Sequence, residues 1–256
     1  MPKSVPYLAA LLFTALLISL SAHADTRVPG AVTAALADPR RPPLQVSLDA
    51  ARKPAQLIAF ARLKRGDKVA DFMPGNAYFT RIMSVVVGDT GHVYAFLPTE
   101  QLSNCSPQEV AGTRLLEHDP GYANVSVLSD ATANFRVPGK LDVIWTAQNY
   151  HDLHDTFMGP ADVAALNKRF FDALRPGGIY LVIDHVAEAG SGLRDTESLH
   201  RIDPKRLRQE IEAAGFVFDA ASDVLRNRSD DHKSPVFDPG VRGRTDQLVY
   251  RFRKPG

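Results

Sequence analysis

Cysteine, excess charge of either sign and long hydrophobic runs are all scarce in this sequence. Of its 256 residues only Cys105 is a cysteine, so no disulfide can form within the chain. The 30 basic and 29 acidic residues nearly cancel, and the formal net charge is +1. This balance gives no electrostatic reason to expect nucleic acid or an anionic membrane as a partner. Core packing must therefore hold the fold, and a chain of this length can bury a sizeable core.

The longest apolar run covers residues 5–20, directly after the N-terminal Lys3. It is shorter than the roughly 20 residues that a membrane span needs. Ala22 and Ala24 follow it in the small-x-small pattern that signal peptidase recognises. We predict a signal peptide over residues 1–24, export to a bacterial periplasm, and no membrane attachment after cleavage. The alternative is an uncleaved membrane anchor.

Strand and helix patterns alternate through the rest of the chain. Residues 25–48 are rich in proline, alanine and arginine, which favours an extended arm with one helical turn. We predict that a helix begins at Asp49 as its N-cap and that residues 49–256 form one domain. Alternation predicts an α/β fold, a Rossmann-like seven-stranded, mostly parallel sheet with helices on both faces. No helix pattern separates the last two strands, so the last strand is predicted to run antiparallel.

The stretch VADFMPGNAYFT, residues 69–80, has the pattern of a strand, a turn and a helix at a nucleotide-binding site. Such a turn usually carries about three glycines. This one has Gly75, and Met73 and Ala77 stand at the positions of the other two.

Several further stretches carry a family resemblance, among them LRPGGIYLVIDH, NYHDLHD, SLHRIDP and DDHKSPVFDPGVRGRTDQ. Over residues 49–255 the chain resembles the class I S-adenosylmethionine-dependent methyltransferases. More narrowly it resembles a family of predicted exported bacterial methyltransferases. The resemblance implies a seven-stranded sheet with an antiparallel last strand, S-adenosylmethionine as cofactor, and methyl transfer to a small acceptor molecule. The sequence indicates no oligomeric state.

The resemblance also implies a set of cofactor-binding residues. The family pattern of an acid followed by three alternate glycines corresponds to Asp71, Met73, Gly75 and Ala77. Because two of the three glycines are missing, we expect weakened binding.

The second and third strands supply the other expected cofactor contacts. Leu97 stands where the family has the acid that binds the ribose hydroxyls, and Glu100 is predicted to reach back in its place. Asp130 is expected at the adenine amino group, with a turn-forming aspartate as the alternative. Asn149, after the fourth strand, completes the predicted cofactor set.

Polar residues follow the fourth and fifth strands. His151 comes after one, and Asp184 and His185 end the other. Because adjacent parallel strands lie about 4.8 Å apart, we expect His151 and either Asp184 or His185 to line one concave site together with Gly75. His151 is the candidate general base, since its ordinary pKa lies near neutrality. The charged loop 230–246 is predicted to cover the site.

Two other functions remain open. One is a non-catalytic binding protein on a degenerate methyltransferase scaffold. The other is a metal-dependent hydrolase that uses histidines and aspartates, because the chain is rich in both near the predicted site. The spacing HDLH matches no strong metal motif, so we predict no metal site.

Overall fold

The computed structural model describes residues 30–159 and 161–256. The predicted signal peptide and the first residues of the arm lie outside this part of the chain. One seven-stranded sheet has the order β3-β2-β1-β4-β5-β7-β6. Its strands are β1 (Lys68–Phe72), β2 (His92–Pro98), β3 (Val125–Asp130), β4 (Leu141–Ala147), β5 (Leu174–His185), β6 (Val217–Ala221) and β7 (Gln247–Arg253).

The pairing confirms the predicted topology. Strands β1 to β5 pair in parallel, and β7 inserts antiparallel between β5 and β6. The sequences of β1, β2 and β4 are mostly apolar, and most residues of these strands are buried, because helices cover both faces of the sheet. Trp145 of β4, which is fully buried, packs in the core on one face, and Phe72 of β1 packs in the core on the other.

Ten α-helices lie within the described residues. They are α1 (Gly30–Leu36), α2 (Pro43–Val46), α3 (Asp49–Arg52), α4 (Pro54–Phe60), α5 (Tyr78–Val87), α6 (Thr99–Leu102), α7 (Pro107–Leu116), α8 (Val163–Ala173), α9 (Thr196–Leu199) and α10 (Pro204–Ala213). Four 3-10 turns add Pro120–Tyr122, Thr132–Asn134, His151–His154 and Thr156–Met158. No helix in 30–159 or 161–256 is both long and apolar enough to cross a bilayer.

The prediction of an extended arm was wrong for residues 30–48, which form α1 and α2. Val32 and Ala35 are fully buried on α1, which packs against α5. Small apolar residues let this helix approach the core closely, and that gain outweighs the local proline content. Asp49 is the first residue of α3 rather than its N-cap. Its carboxylate instead forms an ion pair with Arg41 at 2.5 Å.

The strand order reverses between β1 and β4, which both leave the sheet at the same edge. A crevice opens beyond the carboxyl ends of the strands at such a point, because the connections on either side lead away from it. Every site residue predicted from the sequence lies on a strand that ends here or on a loop that follows one.

Candidate functional site

The loop after β1 keeps an unusual backbone although it has only one glycine. Met73 has φ 57°, Gly75 has φ 55° and Ala77 has φ 63°. All three alternate positions of the expected glycine pattern are thus left-handed. For a residue with a side chain this conformation costs roughly 1–2 kcal/mol. Met73 and Ala77 therefore hold a backbone conformation that glycine adopts more easily.

Hydrogen bonds from neighbouring elements hold this loop in place. The Met73 amide donates to the carbonyl of Phe96 on β2 at 3.0 Å. The Asn149 side-chain amide donates to the carbonyls of Phe72 and Met73 at 3.1 and 3.0 Å. The Thr113 hydroxyl donates to the Gly75 carbonyl at 2.8 Å. Contacts from β2, β4 and α7 thus compensate for the strain of a loop that lacks two glycines.

A cavity of about 750 Å3 lies against this loop at the switch point. Its size falls within the range of about 300–1,000 Å3 that is typical of small-molecule sites. Residues from several segments of the chain line it, including Asp71, Met73, Gly75, Gln101, Asn149, Asp152 and Arg242.

Asp71 is the last but one residue of β1 and lines this cavity, with only 3% of its surface exposed. The Thr80 hydroxyl donates to its carboxylate at 2.6 Å. Burial raises the pKa of Asp71 to about 7, because the hydrogen bonds from Thr80 offset only part of the lost hydration. The Asp71 carboxyl therefore gains or loses its proton near neutral pH.

The structure confirms that His151 meets Asp184. His151 Nδ1 lies 2.7 Å from Asp184 Oδ1, and the His151 amide donates to Asp184 Oδ2 at 2.8 Å. On its other side, His151 Nε2 lies 3.0 Å from Asp152 Oδ1. The imidazole thus sits between two carboxylates, the inner one fully buried and the outer one on the cavity wall.

These contacts set the ionisation of the cluster. Burial alone would lower the pKa of His151, but the charges of Asp184 and Asp152 raise it well above its ordinary value. Burial raises the pKa of Asp152, yet His151 more than offsets this and the net shift is downward. Burial lowers the pKa of His185 to about 4, so that imidazole is neutral, and its Nδ1 lies 2.7 Å from the Thr245 hydroxyl.

The three predicted catalytic residues lie behind the cavity rather than on its wall. His151, Asp184 and His185 are buried, and none lines the cavity that Gly75 lines. The expectation that they share a concave surface with Gly75 was therefore wrong. The 3-10 turn after β4 directs His151 inward and places Asp152 between the imidazole and the cavity. The catalytic roles of these residues stay predictions.

Glu100 and Asp130 do not reach the cavity that Gly75 lines. The Glu100 carboxylate accepts hydrogen bonds from the amide and hydroxyl of Thr132 at 3.0 and 2.9 Å. Asp130 accepts from the Asn134 side chain and the Ala131 amide within its own turn. The turn-forming alternative describes Asp130 correctly. Neither residue is among those that line the cavity.

Ala77 is fully buried, and its left-handed backbone forms the N-cap of α5. Most residues that line the cavity are absent from the predicted set, among them the polar residues Gln101, Asp152 and Arg242. Asp152 could have been found, because it directly follows His151. Gln101 lies on α6 beside Glu100, and Arg242 lies in the loop 230–246, but no sequence pattern singles out either residue.

Loop 222–246, which joins the last two strands, is well anchored. Arg242 is its contribution to the cavity wall. The rest packs along α9 and the end of β5, where Arg201 and Asp230 form a fully buried ion pair at 2.7 Å. That the loop closes over the cavity stays a prediction.

Comparison with known proteins agrees with this architecture. No model of a known protein family matches the chain. Over 128 residues the chain is 25% identical to protein-L-isoaspartate O-methyltransferase of Methanosarcina mazei. That match covers 50% of this chain and 45% of the relative, so the chain spans less than half of the relative's length.

Solved structures match over a larger share of the chain. A SAM-dependent methyltransferase from Aquifex aeolicus gives a TM-score of 0.56 at 16% identity, covering 81% of this chain and 98% of that one. The cyclase SpnF gives 0.58 at 18% identity, with coverage of 85% and 84%. At such identities the likeness concerns the fold. The sheet order, the antiparallel seventh strand and these neighbours together show that the chain has the class I S-adenosylmethionine-dependent methyltransferase fold.

Proposed function

We propose that the protein binds S-adenosylmethionine and transfers its methyl group to a small acceptor. The observation that carries this proposal is the loop after β1. Its three alternate positions all have the positive φ expected of a glycine-rich cofactor loop, namely Met73, Gly75 and Ala77. Only one of the three is glycine, the residue that adopts this conformation without strain. Strain of this kind persists where the surrounding structure maintains it, and it is concentrated at functional sites.

The side chains around the cavity fit this cofactor. The Asn149 Oδ1 and Gln101 Oε1 atoms are buried on the cavity wall without a hydrogen-bond partner in the described chain. Buried acceptors without a donor are uncommon, so both indicate a missing ligand. We assign the amino-acid part of the cofactor to the loop around Gly75, and the ribose hydroxyls to Gln101 in place of the missing acid. A neutral amide binds a hydroxyl less strongly than a carboxylate does, which agrees with weakened binding.

The bound cofactor would supply an activated methyl group, and the chain would have to orient the acceptor. Asp152 is the ionised group on the cavity wall that the His151 and Asp184 pair supports from behind. Its carboxylate can accept a hydrogen bond from an acceptor O–H or N–H. His151 then acts as a positioning residue, because its raised pKa keeps it protonated and unable to serve as a base near neutral pH.

Export remains part of the proposal and rests on the N-terminal sequence. A periplasmic location would separate the protein from cytosolic S-adenosylmethionine. A neighbour of the same fold is named as a cyclase, so the fold alone does not determine the reaction. A binding protein that retains the cofactor loop is therefore the competing function, and binding must be measured separately from transfer.

Isothermal titration with S-adenosylmethionine and S-adenosylhomocysteine tests the binding step. Gly75→Leu places a side chain in the cavity, since an added Cβ meets its nearest atom, the Glu109 carbonyl oxygen, only at 3.9 Å. Gly139→Leu is the matched control. Gly139 also has positive φ and open surroundings, but it precedes β4 at the opposite edge of the sheet.

We expect heat from the wild type and from Gly139→Leu, and loss of at least about tenfold in affinity for Gly75→Leu, equal to about 1.4 kcal/mol. Absence of heat with both ligands at millimolar concentration would exclude the proposal. Binding without methyl transfer to any offered acceptor would favour the binding protein.

A further inference from the structure

A second group of polar side chains lies beside the cavity, on the side of β4 and α9. One ligand atom from each of His151, Asp152 and His200 lies within 4.8 Å of the other two. His200 Nδ1 is 3.6 Å from Asp152 Oδ1 and 3.8 Å from Asp155 Oδ2. Ligand atoms around a tetrahedral ion with bonds of about 2.0–2.1 Å are separated by about 3.3 Å. These spacings are close to what one bound ion requires.

Asp155 supplies an independent observation. It is 1% exposed, and neither of its carboxylate oxygens accepts a hydrogen bond within the described chain. The neighbouring Thr196 hydroxyl donates to the Leu193 carbonyl instead. A buried carboxylate without a donor is costly, and such groups are normally paired or bound to metal. Its Oδ2 is directed towards His200, at the edge of the same group.

We propose that His151, Asp152 and His200 bind one divalent transition-metal ion, with zinc as the favoured ion and with the Asp155 carboxylate beside His200. Two imidazoles and one carboxylate form a donor set suited to zinc with a fourth position open, whereas magnesium and calcium prefer oxygen ligands alone. The ion would use Asp152, which the proposed methyl transfer also uses, and its binding would displace the proton that His151 Nε2 carries in the metal-free protein.

Outer contacts support the assignment. His151 uses Nδ1 to contact the fully buried Asp184, which leaves Nε2 directed at Asp152. A carboxylate on the far nitrogen is the usual partner of a metal-binding histidine, because it fixes the ring orientation. His200 itself has φ 53°, a left-handed conformation that orients its ring against His151, with the ring centroids 5.4 Å apart.

Solvent can reach the proposed ion. The side chains of Asp152 and His200 are 18% and 29% exposed, so an entry path exists on the cavity side. Asp152 also lines the cavity, so an ion bound there would stand at its wall.

The HDLH stretch would pair His151 with His154 as ligands, but the two imidazoles have different partners in the structure. His154 Nε2 lies 3.0 Å from Glu210 Oε2, away from the cluster. His232 Nε2 lies 3.0 Å from Asp246 Oδ2 and is likewise paired outside the cluster. The second imidazole comes from His200 instead, which the parallel bridge between Val186 and Ile202 brings near β5. A motif based on local spacing cannot find such a site.

Titration of the metal-free full chain with ZnCl2 tests the proposal, with native mass spectrometry to count bound ions. We expect one zinc ion per chain in the absence of S-adenosylmethionine. His200→Ala should weaken binding by about 100-fold or more, since even outer-shell changes cost 10–100-fold. Asp155→Asn, which preserves side-chain size, should weaken it at least about tenfold. His154→Ala, a histidine from the same 3-10 turn, is the control and should bind like the wild type.

Cobalt provides a second readout for a variant that folds poorly. Co2+ in the wild type should give visible absorption bands of a nitrogen- and oxygen-bound ion, and Asp155→Asn should change them. Two results would overturn the site: no saturable binding to the wild type at millimolar zinc, or equal binding in the wild type, His200→Ala and Asp155→Asn. A loss in His154→Ala equal to that in His200→Ala would overturn it as well, because it would indicate nonspecific histidine binding.

Discussion

Asp71 and Asp184 both lie near the carboxyl end of a central strand and both are buried, yet their surroundings differ. Asp184 accepts hydrogen bonds from the His151 amide and the His185 amide at 2.8 Å, and it contacts His151 Nδ1 at 2.7 Å. The donor to Asp71 is Thr80, and the pKa of Asp71 rises to about 7. Burial alone therefore does not determine whether a carboxylate is stabilised in its charged form. The hydrogen-bond donors around the carboxylate also determine this.

The two sides of the switch point differ in their hydrogen bonds, although both have left-handed residues, since Gln148 directly after β4 has φ 63°. On the β1 side, Met73 and Ala77 keep left-handed conformations beside a cavity. On the β4 side, the polar groups after the strand form a dense buried network, in which Tyr150 contacts both Asn167 and Glu210. The first side carries a strained loop beside the cavity. The second side is more densely hydrogen-bonded, although the Asp155 carboxylate and the Oδ1 atoms of Asn149 and Asn167 have no partner in the described chain.

The largest expected effect comes from removing a group on the β4 side. Asp184→Ala leaves His151 and two amides without their partner in a buried site. Breaking a buried pair by removing one partner typically costs 3–5 kcal/mol. We expect the free energy of unfolding at pH 7, measured by urea denaturation without added metal, to fall by about that amount.

Asp172→Ala is the control, because Asp172 pairs with Lys168 at the exposed surface. Exposed pairs contribute about 0–1 kcal/mol, so the loss should be small. If Asp184→Ala lost no more than Asp172→Ala, the β4 side would not be stabilised by its own contacts, and the comparison would fail.

On the β1 side the corresponding change should stabilise the protein. The folded pKa of Asp71 is raised from 3.8 to about 7. Between these values the unfolded chain has lost the proton and the folded chain keeps it, so stability contributed by this group falls as pH rises. Asp71→Asn removes that dependence. The free energy of unfolding of the variant, relative to that of the wild type, should rise by about 1.4 kcal/mol per pH unit from about pH 4 to about pH 7 and then level off.

Denaturation of ligand-free protein at several pH values between 4 and 8 measures this difference. Asp130→Asn serves as the control, because hydrogen bonds from Asn134 and Ala131 lower the pKa of the exposed Asp130. That variant should show no gain with rising pH. A constant difference between wild type and Asp71→Asn over the whole range would show that Asp71 titrates at its ordinary value.

The sequence was sufficient for the sheet because its signals are local. Apolar runs such as β4 and caps such as Asp203 before Pro204 depend on neighbours in the chain, and the structure has both. The meeting of His151 with Asp184 was predictable for a similar reason. β4 and β5 are paired in register, with Ala147 opposite Ile183, so the residues that follow β4 meet the end of β5.

Side-chain direction in loops was not predictable. Glu100 follows β2 as expected, but it points to Thr132 on a different loop, while the next residue, Gln101, reaches the cavity. His200 joins His151 only because α9 and β5 are brought together by tertiary contacts. Such details depend on where other loops lie, which no local pattern encodes.

The smallest effect tests the strain of the cofactor loop directly. Ala77 and Ala35 are both fully buried, but Ala77 has φ 63° and Ala35 lies in α1. At each position, mutation to glycine removes a buried methyl group, which lowers the free energy of unfolding by about 0.8 kcal/mol. It also raises the conformational entropy of the unfolded chain, which lowers that free energy by about 0.8–1 kcal/mol more. At Ala77, glycine in addition removes the strain of a left-handed alanine, about 1–2 kcal/mol, and this gain offsets both losses. We expect Ala77→Gly to leave the free energy of unfolding nearly unchanged and Ala35→Gly to lower it by about 1.5–2 kcal/mol. Equal losses at both positions would mean that the loop carries no strain, and the contrast between the two sides of the site would then rest on their hydrogen bonds alone.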